Sequence, residues 1–141
     1  MTCDGFDPRD EGPEAEGSAP SPAGVARRVL VVDDNRDAAD VLAEVVRLLG
    51  HVADVTYDGS SAVERARRVT YDVVLCDIGL PGMSGYEVAA ALREEGTRAR
   101  LVAVSAYDQR DVIARARAAG FQAYLVKPPD LDLIERLLTD G

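Results

Sequence analysis

The sequence predicts an α/β domain in which helices cover both faces of a doubly wound, parallel, five-stranded sheet. Five short apolar runs alternate with five amphipathic stretches between residues 29 and 138, always in the order strand and then helix. The first, third and fourth runs are continuous, which is typical of strands buried on both faces. A strand-helix repeat of this kind joins parallel strands through right-handed crossovers.

Each element has its own signal in the sequence. Continuous apolar character predicts strands at 29–32, 73–76 and 101–104, and the largely apolar stretches at 52–55 and 122–126 predict two more. Apolar residues at helical spacing predict helices at 37–49, 60–69, 86–94, 109–119 and 131–138. Gly50 and Gly120 are placed to end the first and fourth helices, and Ser60 or Ser61 to cap the second. If the second strand lies at the edge of the sheet, it is set apart from the others.

Residues 1–24 precede the periodic region and differ from it in composition. They hold four of the seven prolines, four of the twelve glycines, and six acidic residues against one arginine. Such a segment buries too little apolar surface to offset the entropy lost on ordering. We therefore expect a disordered acidic leader over 1–24, either a solubilising extension or a partner-binding arm, and one folded domain over 25–141.

Charge and hydropathy exclude several classes of function. The formal net charge of −9 argues against nucleic-acid binding and against contact with an anionic membrane surface, since both require a basic footprint. No apolar run approaches the roughly 20 residues of a membrane span, and no apolar signal segment begins the chain. We expect a cytoplasmic protein.

The cysteines and the single histidine do not indicate a catalytic site. Cys3 lies in the leader and Cys76 in an apolar run, so we expect neither a disulfide nor a zinc framework, and a buried Cys76. His51 follows a glycine and has no serine or cysteine pattern that would form a triad with it. We expect His51 to be a partly exposed turn residue.

Polar residues follow all five predicted strands, and Thr56, which follows the second, would lie apart from the others if that strand is at the edge. Asp33 and Asp34 follow the first strand, Asp77 the third, Ser105 the fourth and Lys127 the fifth. Ligands of such sheets bind at the carboxyl ends of the strands, so we expect these side chains to converge at one edge. Lys127 is the only lysine among 16 basic residues, and its compact charge fits a narrow anionic site better than a planar guanidinium does.

This set of side chains suits phosphoryl transfer at a metal site. Three carboxylates in one pocket raise one another's pKa unless a cation intervenes, and hard oxygen ligands suit Mg²⁺ or Mn²⁺. Asp77 would be the nucleophile that forms an acyl phosphate, with Lys127 and Ser105 holding phosphoryl oxygens. Taken singly, Asp33, Asp34 or Ser105 could instead be a helix cap or a turn residue.

Four motifs carry a resemblance to a known family. They are V-L-V-V-D-D-N at 29–35, D-I-G-L-P-G-M-S-G-Y-E at 77–87, V-S-A at 104–106 and G-F-Q-A-Y-L-V-K-P at 120–128. Over about residues 28–138 the chain resembles the receiver domains of two-component response regulators. The resemblance implies a flavodoxin-like fold with strand order 2-1-3-4-5, which agrees with the reading of the apolar runs.

The resemblance also implies a phosphoacceptor and a metal site. Asp77 would accept a phosphoryl group from a phosphohistidine on a histidine kinase or a histidine phosphotransfer protein. Asp34, Asp77 and the backbone carbonyl of Gly79 would ligate Mg²⁺, and Asp33 would contribute through water or hydrogen bonds.

The switch residues follow from the same resemblance. Ser105 would be the hydroxyl drawn toward the phosphoryl group, and Tyr124 the aromatic side chain that follows this movement. Lys127 would pair with the phosphate, and its bond to Pro128 is expected to be cis. The small Ala106 would leave the site open to a phosphoryl donor.

Three positions depart from the commonest family pattern. Ser84 stands where an acid is frequent, and we expect little consequence. Gly79 cannot position an attacking water with a side chain and the bulky Tyr107 could shield the acyl phosphate, so we expect slow autodephosphorylation. An alternative reading is an aspartyl-phosphate phosphohydrolase, which would need an acid at position 79. Another is an interaction module that works without phosphorylation.

The resemblance implies a signalling switch rather than an enzyme in the ordinary sense. The chain would catalyse only its own phosphorylation and dephosphorylation. Neither the three residues after Leu138 nor the leader can hold an output domain, so we expect readout through an unknown binding partner. The chain would be a stand-alone receiver or a receiver of the hybrid-kinase type, either monomeric or weakly dimeric. Its expected signalling face is formed by the fourth helix, fifth strand and fifth helix.

Overall fold

In the computed structural model, residues 26–140 are described, and they form five strands that alternate with five helices. The strands are β1 Arg28–Val32, β2 Val52–Thr56, β3 Val73–Asp77, β4 Arg100–Ser105 and β5 Ala123–Val126. The helices are α1 Arg36–Leu48, α2 Gly59–Arg68, α3 Gly85–Glu94, α4 Arg110–Ala119 and α5 Leu131–Asp140. The predicted bounds differ from these by one or two residues. The predicted leader over 1–24 lies outside the described residues.

All neighbouring strands are parallel, and their order is β2-β1-β3-β4-β5. The predicted doubly wound α/β fold and the strand order 2-1-3-4-5 are therefore confirmed. The second strand lies at an edge, as expected. No helix among residues 26–140 combines the length and the apolar character that a membrane crossing requires.

The sheet separates two apolar layers. Alternate residues of β1 point to opposite faces, so Val29 and Val31 belong to one layer and Leu30 and Val32 to the other. One layer is completed by α1 and α5, the other by α2, α3 and α4. These four β1 side chains are at most 1% exposed, and each such burial contributes about 1.5–3 kcal/mol. The continuous apolar runs in the sequence follow from this burial on both faces.

The structure confirms the predicted ends of the first and fourth helices but not the predicted cap of the second. Gly50 and Gly120 follow α1 and α4 with φ of 95° and 117°, so both predicted stops are confirmed. The prediction that Ser60 or Ser61 caps α2 is wrong, because Asp58 is the cap. The Asp58 carboxylate accepts a hydrogen bond from the Ser61 backbone N–H at 2.8 Å. Ser61 therefore lies in the first turn of the helix and donates to the cap residue.

The prediction that His51 is a partly exposed turn residue is also wrong, because His51 is only 5% exposed. Its Nδ1 accepts the backbone N–H of Arg27 at 2.8 Å, and Arg27 Nε donates to the backbone carbonyl of Leu138 at 3.0 Å. Arg27, directly before β1, thus links His51 to the last turn of α5. Cys76 is buried as expected, and this burial raises the pKa of its thiol.

The electrostatic environment of His51 favours the neutral imidazole. Burial lowers its pKa below the ordinary value, the charge of Arg27 lowers it further, and Asp72 and Glu135 act in the opposite direction. The hydrogen bond requires the same state, because a protonated Nδ1 cannot accept from the Arg27 N–H.

The state of His51 predicts how stability depends on pH. The unfolded chain binds a proton near pH 6.5 and the folded chain only at lower pH, so the stability present above about pH 6.5 is lost as the pH falls below it. Urea unfolding between about pH 5.5 and 7.5 should show a steeper decline for the wild type than for His51→Asn. The asparagine oxygen keeps an acceptor for Arg27 but does not titrate. Parallel pH profiles for the two proteins would contradict this assignment.

Candidate functional site

Three aspartates meet at the carboxyl edge of the sheet. Asp33 and Asp34 follow β1, Asp77 ends β3, and one carboxylate oxygen from each lies within 4.8 Å of the others. Asp33 is buried, Asp77 half-buried and Asp34 exposed. The three therefore line an acidic cleft in which exposure increases from Asp33 through Asp77 to Asp34. The cleft is open to solvent on the side of Asp34.

Backbone hydrogen bonds extend the sheet ladders past the strand ends and fix this edge. The Asp33 N–H donates to the Thr56 carbonyl at 3.2 Å, and the Lys127 N–H donates to the Ser105 carbonyl at 2.8 Å. Asp33, Asp77, Ser105 and Lys127 therefore project from paired backbone rather than from unsupported loops. Such support reduces the conformational freedom of a site.

Lys127 reaches from the end of β5 into the acidic cleft. Its Nζ lies 2.8 Å from Oδ2 of Asp33 and 3.3 Å from Oδ2 of Asp77. β4 lies between β5 and β3 in the sheet, so the long lysine side chain spans that strand to make these contacts. The peptide bond between Lys127 and Pro128 is cis.

The cleft perturbs the pKa values of Asp77 and Lys127. Burial raises the pKa of Asp77 above its ordinary value, although the Gly79 N–H and the charge of Lys127 act to lower it. Burial alone would lower the pKa of Lys127, but its hydrogen bond to Asp33 and the charges of Asp77 and Asp33 outweigh burial and raise it. Lys127 is therefore held as an ammonium ion between carboxylates.

The acidic cluster fits a hard divalent cation. Asp33 is the most buried of the three, and its Oδ1 accepts the Asn35 N–H at 3.0 Å while its Oδ2 accepts from Lys127. Asp33 therefore suits an indirect role, whereas the exposed Asp34 and the half-buried Asp77 suit direct ligation. Carboxylate oxygens without nitrogen or sulfur partners are the donors preferred by Mg²⁺ and Mn²⁺.

The loop after β3 begins with a tight turn on Asp77. The Gly79 N–H donates to Oδ1 of Asp77 at 3.1 Å, which orients the carboxylate and the loop together. A Cβ added at Gly79 would have its nearest neighbour, that same Oδ1, at 3.9 Å. Space therefore does not force a glycine at position 79.

Ser84 has a structural role that we did not expect. Its Oγ accepts the Glu87 N–H at 3.3 Å, and Glu87 Oε1 accepts the Ser84 N–H at 2.8 Å. This reciprocal capping box begins α3. The expectation that serine in place of the family's frequent acid has little consequence stays a prediction; in α3 the short Ser84 hydroxyl satisfies a backbone donor at the helix start.

Ser105 and Tyr124 are connected through the backbone of Tyr107. The Tyr107 N–H donates to Oγ of the buried Ser105 at 3.1 Å, and the Tyr124 hydroxyl donates to the Tyr107 carbonyl at 2.7 Å. The Tyr107 side chain itself is 57% exposed, and Ala106 beside it is exposed. Shielding of an acyl phosphate by Tyr107 stays a prediction.

A contact between α1 and the segment after β2 was not predicted from the sequence. The Arg36 guanidinium lies 4.1 Å from the centroid of the Tyr57 ring, and the Tyr57 hydroxyl donates to Oδ1 of Asp40 at 2.8 Å. This contact ties the start of α1 to the segment after β2. Arg36 is one of fifteen arginines in the chain, and no spacing pattern distinguished it.

Comparison with known proteins identifies relatives over nearly all of the described chain. The family model of the response regulator receiver domain matches residues 29–139. A response regulator receiver protein of Anaeromyxobacter is 37% identical over 102 residues, which are 72% of this chain and 43% of that protein. The transcriptional regulatory protein PdtaR of Mycobacterium tuberculosis is 38% identical over 107 residues, which are 75% of this chain and 52% of PdtaR. The chain thus spans about half the length of these relatives or less.

Solved structures show the same architecture. The receiver domain of the sensor histidine kinase PA1611 of Pseudomonas aeruginosa has a TM-score of 0.74 and 27% identity, and the match covers 83% of this chain and all of that domain. That structure has a magnesium ion coordinated in its active-site cleft.

The capping box predicts a specific pattern of stability changes. Ser84→Ala removes the acceptor for the Glu87 N–H and should lower the free energy of unfolding by about 1 kcal/mol. Ser84→Asp keeps an acceptor of similar capping strength and should cost much less. Urea unfolding of the two variants tests this, and equal losses for both would contradict the role of the cap.

Proposed function

Because the chain belongs to the response regulator receiver domain family, we propose that it is a Mg²⁺-dependent phosphoacceptor switch in which Asp77 receives the phosphoryl group. The observation that carries this proposal is the position of Asp77. Its carboxylate ends a buried strand, is held by the Gly79 N–H, and faces the Lys127 ammonium among two further carboxylates.

The proposed reaction is a displacement at phosphorus. A carboxylate oxygen of Asp77 attacks the phosphorus of a phosphohistidine, and a new P–O bond forms as the P–N bond breaks. The electron pair of that bond stays on the imidazole nitrogen of the donor, which takes up a proton. The product is an acyl phosphate on Asp77. Lys127 then pairs with a phosphoryl oxygen, for which its ammonium is already held beside Asp77.

The proposed metal ligands are Asp34, Asp77 and the backbone carbonyl of Gly79, with Asp33 acting indirectly. Bound Mg²⁺, or Mn²⁺ in its place, supplies positive charge that offsets the charge of the phosphoryl group. The all-oxygen donor set of the acidic cleft and the magnesium ion in the Pseudomonas receiver support this assignment.

The proposed switch uses the contact that Ser105 and Tyr124 share. When the Ser105 hydroxyl turns toward the phosphoryl group, it releases the Tyr107 N–H. Because Tyr124 bonds the carbonyl of the same residue, the loop after β4 and the Tyr124 ring respond together. We propose that a downstream protein reads this change on the surface formed by α4, β5 and α5.

The proposed phosphoryl donor is a histidine kinase or a histidine phosphotransfer protein. A phosphohistidine is a suitable donor because the cleft supports phosphoryl transfer to a carboxylate. We propose that this transfer takes place in the cytoplasm. We propose that the downstream readout is protein binding, since the net charge of −9 disfavours direct contact with nucleic acid.

Phosphotransfer to Asp77 is tested with a donor that carries labelled phosphate. The wild type should acquire a base-labile label that requires Mg²⁺, and Asp77→Asn should acquire none, because an amide is not a competent nucleophile. Asp108→Asn, which alters an exposed aspartate of the loop after β4, is the matched control and should label normally. Turnover to free phosphate without a labelled intermediate would indicate a hydrolase, and labelled Asp77→Asn would overturn the assignment of Asp77.

Lys127→Arg tests whether shape as well as charge matters in the cleft. The ammonium lies 2.8 Å and 3.3 Å from two carboxylates, and a wide planar guanidinium does not fit the same position. We expect single-turnover phosphorylation to slow at least about tenfold, equivalent to about 1.4 kcal/mol in the barrier. A wild-type rate together with wild-type partner binding would mean that any cation suffices at this position.

A further inference from the structure

Gly59, the first residue of α2, lies directly against the loop that joins β3 to α3. A Cβ added at Gly59 would lie 2.7 Å from the carbonyl oxygen of Met83 and 2.8 Å from Cγ2 of Val88. Real Cβ atoms do not approach other heavy atoms so closely. Gly59 is buried, and its φ is outside the left-handed region, so closeness rather than backbone conformation requires glycine.

A second contact of the same kind lies closer to the phosphoacceptor. A Cβ added at Gly85, the first residue of α3, would collide with the backbone carbonyl oxygen of Asp77 and lie 2.6 Å from Cα of Ile78. The Gly85 N–H also donates to the Ile78 carbonyl at 3.0 Å. The start of α3 therefore rests on the backbone of Asp77 and of the residue after it.

The two contacts lie in series, because Met83 and Gly85 flank the cap residue Ser84. The chain of contacts runs from Gly59 through Met83 and Ser84 to Gly85 and then to Asp77. Its closest contacts involve backbone atoms, so rotation of a side chain cannot relieve pressure on them. Packed interiors transmit such displacements because they hold little free volume.

We propose that Gly59 is a positioning residue for the phosphoryl-transfer site. It seats the segment from Asp77 to Gly85, and with it the Gly79 carbonyl, in the position that metal binding requires. The inference deepens the proposed function and rests on it for the role given to Gly79. α2 supplies none of the proposed ligands, so its part in the site is the support of this loop.

The test compares Gly59→Ala with Gly96→Ala. Gly96 follows α3 at the end far from the site, has a φ of +82°, and would place a Cβ with no heavy atom within 4 Å. Gly96→Ala thus adds the same methyl group and strains the backbone, but the added Cβ contacts no neighbouring atom. Both variants are checked for folding by urea unfolding before their sites are compared.

Two measurements report on the site. In metal-free protein, the backbone amide chemical shifts of residues 77–85 should move in Gly59→Ala and stay in place in Gly96→Ala. The Mg²⁺ dissociation constant from titration should rise about tenfold in Gly59→Ala, near the lower end of the effect of groups that orient metal ligands. It should be unchanged in Gly96→Ala, even where that variant is less stable.

A double variant separates the loop from simple helix packing. Adding Val88→Ala to Gly59→Ala removes the contact with Cγ2 but leaves the contact with the Met83 carbonyl. The amide shifts and the weaker Mg²⁺ binding should persist in the double variant and be absent in Val88→Ala alone. Should Gly59→Ala not fold, the double variant, which has more room, is measured in its place.

Unmoved amides in the Gly59 variants would overturn the inference, as would an equal loss of Mg²⁺ affinity in Gly96→Ala. Full recovery on adding Val88→Ala would overturn it too, because it would assign the effect to helix packing. Failure of the proposed function looks different: the wild type would then bind no Mg²⁺ or acquire no label on Asp77. The metal-free amide shifts judge the seating of the loop independently of that outcome.

Discussion

The site depends on the ion pairs that the Lys127 ammonium forms with Asp33 and Asp77. The ammonium lies between a carboxylate that is 4% exposed and another that is half-buried, so Asp33 and Asp77 are not left as uncompensated neighbouring charges. Removing one partner of a buried pair costs far more than the pair contributes, because the remaining charge stays buried. Lys127 and its two partners also join the ends of β1, β3 and β5. The same contacts therefore balance the charges of this edge and hold its strand ends together.

Most of the architecture could be predicted because strands buried on both faces of the sheet have a simple sequence pattern. Strands such as Val29–Val32 and Val73–Cys76 read as unbroken apolar runs, and the residue after each run falls at the same edge of a parallel sheet. This geometry sufficed to bring together Asp33, Asp77 and Lys127, although Lys127 is 94 and 50 residues away from its two partners.

The features that were missed have physical reasons of two kinds. The buried His51 accepts a hydrogen bond from Arg27, 24 residues earlier in the chain, and contacts across such separations leave no periodic signal in the sequence. The caps are different, because their signals are local. Ser84 and Glu87 have the spacing of a capping box, and an aspartate stands directly before Gly59. The glycines that face neighbouring backbone atoms could not be recognised, since nothing in a sequence separates them from glycines required by a turn.

The connection between Ser105 and Tyr124 has a consequence for how the protein can vary. Both contacts use main-chain atoms of residue 107, so any side chain except that of proline is compatible with them. The exposed Tyr107 side chain can therefore diversify while the relay between site and surface stays intact. Substitutions at this position are a route by which related chains could present different surfaces beside Ser105 while both hydrogen bonds are kept.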